Sequence, residues 1–313
     1  MKKIAFVFPG QGSQCIGMGK SFYDRSKAAR LAYEEANDSL GYDIRRLSFA
    51  GPQEELDRTE YAQPALLTAS IAAMRVLREN TDIRPSCLAG HSLGEYTALV
   101  VSGALAFGET VKLVNQRGKF MQESVPEGVG KMCAVLGLSV DDVFEVCRRA
   151  SGDDGVVVPA NINSPEQIVI SGHSAAVERA ALIAKERGAK RVIPLQVSVP
   201  SHSPLMARAA ELLRTELYKI AFKSMSVPVI TNVEASEAAP SRLKELLTLQ
   251  LTSPVRWVDT IRSIKTGGVR DIFEIGPGKV LSGLTKRIEK EMNPHNVSEM
   301  CDIEKAMGAL NAP

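Results

Sequence analysis

The sequence predicts an α/β fold: a large domain with a mostly parallel β-sheet, into which a smaller βαββαβ unit is inserted. Short apolar runs alternate with longer segments of helical periodicity from the N-terminus onward, a pattern typical of a parallel sheet covered by helices on both faces. Between about residues 128 and 197 the order becomes strand, helix, strand, strand, helix, strand, which is the ferredoxin-like arrangement. We therefore expect a large domain over 1–127 and 198–313 and an inserted ferredoxin-like subdomain over 128–197.

The elements of the large domain follow from apolar runs and helix-start signals. Pro64 is expected to open a helix because proline is favoured in a first helical turn. Gly276-Pro277-Gly278 ends the last predicted strand and precedes a final helix. The strands are predicted at 4–8, 87–89, 227–231 and 271–275, and the helices at 20–40, 64–79, 93–102, 108–123, 204–220, 241–251 and 256–266. The inserted subdomain has predicted strands at 131–137, 156–161, 167–171 and 191–197, and helices at 140–150 and 175–188.

Composition and charge exclude several classes of function. Thirty-eight Lys and Arg against 36 Asp and Glu leave a net charge of +2, too balanced for the basic field of a nucleic-acid-binding protein. Five cysteines show neither zinc-site nor redox-motif spacing, which favours a reducing cytosol over a disulfide framework or a metal site. The nearly apolar stretch at 97–107 is shorter than the roughly 20 residues of a membrane-spanning helix. We predict a cytoplasmic protein with neither nucleic acid nor membrane as a partner.

Gly90-His91-Ser92-Leu93-Gly94 matches the G-x-S-x-G pattern of a nucleophile elbow. The pattern can also be an ordinary turn, but here it lies between a predicted strand and a predicted helix, as an elbow must. Two glycines leave room for a tight turn that exposes the Ser92 hydroxyl, and the Leu93 N–H at the helix start can donate to an oxyanion. The segment therefore indicates a serine nucleophile in an α/β-hydrolase-like domain.

A serine nucleophile needs a base, and histidine is the usual one. The sequence offers His91, His173, His202 and His295. His91 adjoins Ser92 and is expected to point away from its hydroxyl, while His173 is expected in a solvated turn of the subdomain. His202 follows a predicted strand, and Ser203 and Pro204 after it are predicted to start a helix, with Ser203 as N-cap.

His295 is the alternative base. Ser92, then Asp271 or Glu274, then His295 reproduces the chain order of an α/β-hydrolase triad. The spacing of the residues leaves both His202 and His295 open.

Two other polar residues are candidates for contacts with a substrate. Gln11 lies in the glycine-rich segment Gly10–Gln14, which lacks the full dinucleotide-binding pattern; it is either part of a tight turn or a donor to an oxyanion. Arg117 lies on the second predicted helix after the elbow, where it is either solvated or buried as a clamp for a substrate carboxylate.

Taken together, these segments resemble the malonyl-CoA:acyl-carrier-protein transacylases of fatty acid synthesis, over nearly the whole chain. The matching motifs occur in the family's order. They are PGQGSQ at 9–14, GHSLGE at 90–95, QRG at 116–118, NINSPEQ at 161–167, VPSHSPLM at 199–206, Q at 250 with SPVRW at 253–257, and EIGPG at 274–278. Seven ordered motifs are far more specific than one elbow.

The resemblance implies roles for the candidate residues. Ser92 would be the nucleophile and His202 its base and later its acid, so that His295 is not catalytic. Arg117 would bind the free carboxylate of malonate. The oxyanion donors would be Gln11 and the Leu93 N–H. The backbone carbonyl of Gln250 would hold the second ring nitrogen of His202, which makes a dyad rather than a triad.

The resemblance also implies the partners: malonyl-CoA and CoA, and acyl carrier protein. It implies no cofactor and no metal, and we expect a monomer. Basic residues near the cleft mouth are expected to steer an acidic carrier protein, although each alone is more simply a solvated side chain; they are Lys190, Arg191, Lys286 and Arg287. Ser201, before His202, leaves the choice between malonyl and methylmalonyl groups open.

Two other functions remain as alternatives. One is a serine esterase or thioesterase that uses Ser92, His295 and an acid at Asp271 or Glu274. The other is a carrier-protein-binding module without catalysis, in which Ser92 would be dispensable.

Overall fold

Two β-sheets of different kinds organise the chain in the computed structural model, which describes residues 2–195 and 199–311. The first sheet has the order β7-β2-β1-β8-β9 with every pairing parallel, and the second has the order β4-β5-β3-β6 with every pairing antiparallel. The strands are β1 (Ile4–Phe8), β2 (Cys87–Gly90), β3 (Gly130–Leu136), β4 (Val157–Ser164), β5 (Gln167–His173), β6 (Arg191–Pro194), β7 (Val229–Ile230), β8 (Asp271–Ile275) and β9 (Asn293–Val297).

Helices cover both sheets. They are α1 (Lys20–Arg25), α2 (Lys27–Leu40), α3 (Ile44–Ala50), α4 (Gln53–Leu56), α5 (Thr59–Asn80), α6 (Leu93–Ser102), α7 (Phe107–Ser124), α8 (Val140–Ala150), α9 (Ser174–Glu186), α10 (Ala207–Lys219), α11 (Leu243–Leu249), α12 (Trp257–Thr266), α13 (Val280–Ile288) and α14 (Asp302–Asn311). Short 3₁₀ helices lie at Pro204–Met206 and Pro240–Arg242.

The parallel sheet is buried on both faces. All five residues of β1 are buried, and because side chains alternate along a strand they serve two cores. Phe6 and Phe8 belong to the larger core, which includes residues of α2, α5, α6 and α7. Ala5 and Val7 face the other core, formed with α12 and α13. The predicted parallel sheet with helices on both faces is confirmed.

The antiparallel sheet and helices α8 and α9 form the predicted βαββαβ unit. Helices α8 and α9 pack on one of its faces, around Val135, Ile168 and Ile170. The other face carries Met132, Ala134 and Val169. Strand β4 also touches the large sheet's helical layer, since Ile162 N–H donates to Val255 O at 2.9 Å. The domain limits themselves stay a prediction: the predicted last strand at 191–197 ends at Pro194 in the structure, and the limit at 197/198 lies outside the described residues.

The predicted helix start at Pro64 is wrong, because α5 begins at Thr59 and contains Pro64 in its second turn. Proline has no N–H to donate to the carbonyl four residues earlier. The carbonyl of Glu60 accepts instead from Asn115 Nδ2 of α7 at 2.8 Å. A tertiary hydrogen bond therefore offsets the one that proline removes.

Other boundaries were also displaced by local hydrogen bonds. The predicted helix 20–40 is divided at Ser26, whose Oγ accepts from Ala29 N and so caps α2. Ser203 does not cap the helix after it with its side chain; its Oγ donates to Pro200 O at 2.7 Å. Four elements were not predicted from the sequence: α3, α4, β9 and α14. Strand β9 escaped because its sequence, NPHNV, has little apolar character.

Candidate active site

Ser92 lies in a strained turn between β2 and α6. Its φ of 50° and ψ of −104° place a non-glycine residue in sparsely populated backbone space. The flanking glycines make the turn possible: a Cβ on Gly94 would overlap the carbonyl of Phe8, and one on Gly90 would overlap the backbone of Gly94. The expected elbow geometry is therefore present at Ser92.

Asn232, two residues after β7, forms hydrogen bonds to the backbone of this turn. Its Oδ1 accepts from Ser92 N–H at 2.7 Å and its Nδ2 donates to Gly90 O at 2.6 Å. The side chain is fully buried, so these hydrogen bonds form away from water and satisfy backbone groups that the strained turn would otherwise leave unpaired. Asn232 was not among the predicted site residues, because nothing in one sequence marks an asparagine 140 residues from Ser92 as its hydrogen-bond partner.

His202 bonds to Ser92. Its Nε2 lies 2.9 Å from Ser92 Oγ and its Nδ1 lies 2.7 Å from the backbone oxygen of Gln250. A carbonyl can only accept, so Nδ1 carries the proton and Nε2 is free to take the proton of the serine. Burial, and secondarily the charge of Arg117, lower the pKa of His202 to about 3. The imidazole is therefore neutral at neutral pH, the form that a general base requires.

Arg117 of α7 brings a buried cation to the same place, with 1% of its surface exposed. Its Nη2 donates to Ser92 Oγ at 3.2 Å and to Gln250 Oε1 at 2.9 Å, and its Nη1 donates to Gln63 Oε1 at 2.6 Å. The guanidinium also lies over the ring of Tyr96, 5.4 Å from its centre. Burial lowers the pKa of Arg117, yet a guanidinium stays protonated in proteins. The sequence left a solvated and a buried Arg117 open, and the structure buries it.

Gln250 connects these groups. Besides the bond from its backbone oxygen to His202, its Oε1 accepts from Arg117, and its Nε2 donates to Ser92 O at 3.1 Å and to Glu95 Oε2 at 2.9 Å. Glu95 also accepts from Asn232 N at 3.0 Å. Burial raises the pKa of Glu95 to about 7. Glu95 closes the GHSLGE motif, but no role was predicted for it; Gln63 was not predicted, because its neighbours on α5 are ordinary core residues.

The proposed oxyanion donors flank Ser92. Leu93 is the first residue of α6, where backbone N–H groups have no partner within the helix. Gln11 follows β1, and its side-chain Nε2 donates to Thr59 Oγ1 at 3.2 Å. That bond fixes the Gln11 side chain. Both residues line the cavity described next. Their roles as oxyanion donors stay a prediction.

One cavity of about 100 Å³ gathers the candidate residues. Residues of both the large domain and the antiparallel sheet form its wall. It is lined by Gln11, His91, Ser92, Leu93, Arg117, Met121, Met132, Asn161, Leu195, Val199, Ser201 and His202. The arrangement of a nucleophile, a neutral base and a buried cation on one cavity suits acyl transfer of a small group that carries a negative charge.

The alternative triad is not assembled. His295 lies on β9, where its Nε2 is 3.0 Å from Asp271 Oδ1 and its ring stacks on Phe273 at 4.6 Å. Glu274 accepts from the N–H groups of Leu281 and Ser282 at 3.0 and 2.7 Å. Both acids are thus engaged outside the cavity that holds Ser92.

The other two histidines have structural partners. His91 Nε2 lies 2.8 Å from Asn163 Oδ1, and its ring packs 5.5 Å from that of Trp257. The expectation that His173 lies in a solvated turn is wrong: it is the last residue of β5, half-buried, and its Nδ1 accepts from Val156 N at 3.0 Å. That bond closes the backbone of the turn before β4.

Within residues 2–195 and 199–311, no group of three or more His, Cys, Asp or Glu side chains is arranged to hold a metal ion. Among the same residues, no helix combines the length and the apolar character that crossing a membrane requires.

Comparisons with known proteins give the family. The acyl transferase domain family matches residues 5–303. Two relatives named malonyl CoA-acyl carrier protein transacylase are similar along their whole length: that of Salmonella typhimurium is 46% identical over 308 residues, covering 98% of this chain and 99% of the relative, and that of Bacillus subtilis is 48% identical over 311 residues, covering 99% and 98%.

Solved structures agree. The transacylase of the same name from Coxiella burnetii superposes with a TM-score of 0.97 at 44% identity, covering 99% of this chain and 98% of that one. A malonyl-transacylase solved in complex with a type II polyketide synthase acyl-carrier protein superposes with a TM-score of 0.96 at 43% identity, covering 98% and 100%. From its sequence, its fold and the geometry around Ser92, this chain belongs to the acyl transferase domain family, among the malonyl CoA-acyl carrier protein transacylases.

Proposed function

We propose that this chain transfers a malonyl group from malonyl-CoA to the phosphopantetheine thiol of acyl carrier protein, through a malonyl-serine intermediate, and so feeds fatty acid synthesis. The names of its relatives support the reaction. The observation that carries the proposal is the 3.2 Å separation of Arg117 Nη2 and Ser92 Oγ in one cavity. A group attached to Ser92 can place a terminal carboxylate against that guanidinium.

The first half-reaction loads the serine. His202 Nε2 takes the Ser92 proton while Oγ attacks the thioester carbonyl of malonyl-CoA. The N–H groups of Leu93 and Gln11 stabilise the oxyanion, at about 3 kcal/mol for each donor. The intermediate then collapses, the carbon–sulfur bond breaks, and the CoA thiolate leaves with the proton from His202.

The second half-reaction runs the same steps in reverse order. The carrier's thiol gives its proton to His202 and attacks the malonyl ester, and Ser92 leaves with that proton as its hydroxyl. The enzyme returns to its starting state, and the malonyl group ends on the carrier sulfur. The backbone oxygen of Gln250 keeps His202 in one tautomer throughout, since its 2.7 Å bond to Nδ1 needs the proton there.

Selection of malonyl over acetyl groups comes from Arg117. Its guanidinium is buried and its hydrogen bonds go to neutral oxygens of Gln63, Gln250 and Ser92. A substrate carboxylate supplies a negatively charged hydrogen-bond partner, and an acetyl group does not. A site built for a charged group rejects analogues that lack it by large factors.

The acyl carrier protein is the proposed acceptor, and an acidic carrier would meet basic side chains beside the cleft. Lys190 and Arg191 are exposed, Lys190 pairs with Glu166 at 3.1 Å, and Arg287 bonds to Gln167 at 2.7 Å. We further propose a monomer without cofactor in the cytoplasm. All five cysteines are free, which supports a reducing compartment.

Intact-mass measurement tests this function. The protein is incubated with malonyl-CoA alone, and then with carrier protein that bears its phosphopantetheine arm. We expect one malonyl adduct that moves to the carrier, and no adduct on Ser92→Ala. An adduct that hydrolyses faster than it moves would identify a thioesterase instead, and full carrier malonylation by Ser92→Ala would exclude the serine intermediate.

A further inference from the structure

Glu95 is a buried acid next to the site that the reaction above does not use. It lies on α6 three residues after Ser92, with 1% of its surface exposed. Its Oε2 accepts from both Gln250 Nε2 and Asn232 N, at 2.9 and 3.0 Å. A buried carboxylate is costly unless another charge offsets it.

The charge that offsets it belongs to Arg117. The guanidinium acts electrostatically on Glu95, and the amide of Gln250 joins the two, since it accepts from Arg117 with Oε1 and donates to Glu95 with Nε2. Because the amide of Gln250 is hydrogen-bonded at both ends, each bond polarises the other. The electrostatic coupling between Arg117 and Glu95 is therefore stronger than an isolated hydrogen bond would give. The direct partners of Arg117 are neutral oxygens. In the empty enzyme, therefore, one buried cation and one buried anion balance.

A malonyl group changes that balance. Its carboxylate against Arg117, as the proposed function requires, adds a second negative charge to a buried site that holds one guanidinium. Arg117 Nε is buried and has no hydrogen-bond partner among the described residues. Its N–H is therefore available to donate a hydrogen bond to the malonyl carboxylate. Two buried carboxylates that share one cation cannot both stay ionised cheaply.

We propose that Glu95 is the resident counter-ion of Arg117 and a positioning residue, and that it takes up one proton from solvent when the malonyl carboxylate binds. The inference rests on the proposed function. The proton converts Glu95 to its neutral acid and leaves the substrate as the anion paired with Arg117. Acylation itself is proton-neutral, because the Ser92 proton ends on the CoA thiol, so any net uptake reports an enzyme group.

The other titratable groups around Glu95 do not change charge near neutral pH. Burial raises the pKa of the adjacent Tyr96 to about 12 and lowers that of His202, across Gln250, to about 3. Arg117 of α7 stays protonated. Burial raises the pKa of Glu95 itself to about 7, so the carboxylate is mostly ionised in the empty enzyme above that pH.

Linkage gives a second consequence. If malonyl binding favours protonated Glu95, then protonation of Glu95 favours malonyl binding by the same factor. The KM for malonyl-CoA should therefore rise several-fold between about pH 6 and about pH 8, as Glu95 becomes ionised. The kcat at saturation should change less, because His202 keeps one protonation state across this range.

The experiment mixes enzyme with malonyl-CoA, without carrier, in weakly buffered solution at about pH 8 with an indicator dye, and divides the proton uptake by the malonyl-enzyme measured by mass. We expect about half a proton or more for the wild type and close to none for Glu95→Gln. Glutamine can keep both hydrogen bonds, because they reach a single oxygen of Glu95. Thermal unfolding checks that the variant is folded.

Glu274→Gln is the matched control, since it removes another buried carboxylate outside the cavity. This variant should take up protons like the wild type.

Complete malonylation of the wild type without uptake would overturn the inference and leave the proposed function standing. Uptake that persists in Glu95→Gln would also overturn it and assign the proton to another group, such as His202. Should Glu95→Gln fail to fold, the wild-type uptake and its KM against pH still decide. Absence of malonylation would contradict the proposed function itself, and the inference with it.

Discussion

His202 and His295 each pair with an oxygen, but His202 lies in a turn and His295 on strand β9, and the results differ. His202 is 3% exposed and bonds through Nδ1 to the neutral carbonyl of Gln250. His295 is partly exposed and bonds to the carboxylate of Asp271. Asp271 pairs in register with Ile4 at the start of β1, whereas Gly90, the first residue of the elbow, pairs with Phe8 at its end. The two places are therefore about 13 Å apart along the strands.

The difference shows why chain order alone does not identify a catalytic histidine. Asp271 and His295 follow Ser92 in the chain order of a hydrolase triad. Asp271, however, is the first residue of β8 and lies at the amino-terminal edge of the parallel sheet. Ser92, Gln11 and their neighbours follow the carboxyl ends of β1 and β2, where sites of such sheets are built. Which edge a residue occupies decides its role more than the partner that it has.

Alanine substitutions of the two histidines test the difference between them most strongly. His202→Ala should lower kcat for malonyl transfer on the order of 10³-fold or more, because Ser92 loses its base. His295→Ala should stay within about twofold of the wild type. Steady-state transfer to carrier protein measures both. A comparable loss in the two variants would mean that both sites take part and would break the comparison.

Arg117→Ala tests the charge that distinguishes the His202 region. We expect kcat/KM with malonyl-CoA to fall on the order of 10³-fold, since the carboxylate loses its partner in a dry site. Transfer from acetyl-CoA, which the proposed selectivity makes slow, should change less than about tenfold. Competition between the two thioesters measures the ratio, with His295→Ala as a control for general damage. Equal losses for both substrates would show that Arg117 supports the structure and does not select the substrate.

The pH dependence of kcat tests the protonation state of His202. Its pKa is lowered to about 3 by burial and by Arg117, so the base is neutral above that value and is lost only as the pH falls towards it. With saturating malonyl-CoA, kcat should stay level from about pH 8 to about pH 5. Transfer rates in buffers of constant ionic strength test this. A decline centred near pH 6.5, the ordinary range of histidine, would show that the imidazole is not held neutral.

The smallest effect concerns the Asp271 region. Burial by itself would raise the pKa of Asp271, but hydrogen bonds from His295 and Lys2 lower it overall. A carboxyl with a lowered pKa stabilises the fold above its ordinary pKa, and this stability is lost as the pH falls through the folded value. Asp271→Asn should therefore cost about 1 kcal/mol of unfolding free energy at neutral pH and less in acid, with transfer activity unchanged. Urea unfolding at several pH values measures it; a cost independent of pH would exclude the charge as its source.

Local patterns predicted much of the framework. The short strand, the two glycines and the helix around Ser92 lie within 16 residues of sequence, and the structure has β2 and α6 there with the predicted limits to within a residue. The βαββαβ order was equally visible, because each of its elements has its own periodicity. Pro64 was misjudged for the opposite reason: what allows it inside α5 is Asn115, 51 residues further along the chain, whose amide satisfies the Glu60 carbonyl.

Most of the elements, the elbow and a short set of candidate residues could be predicted from the sequence alone, since these depend on backbone propensity and on neighbours a few positions away. Only the tertiary structure decided which histidine reaches Ser92, that Asn232 supports the turn, and that Gln250 links Arg117 to Glu95. Those contacts join residues 110, 140, 133 and 155 positions apart. A buried charge or hydrogen bond of this kind exists only once the sheet has brought its partners together and removed water from between them.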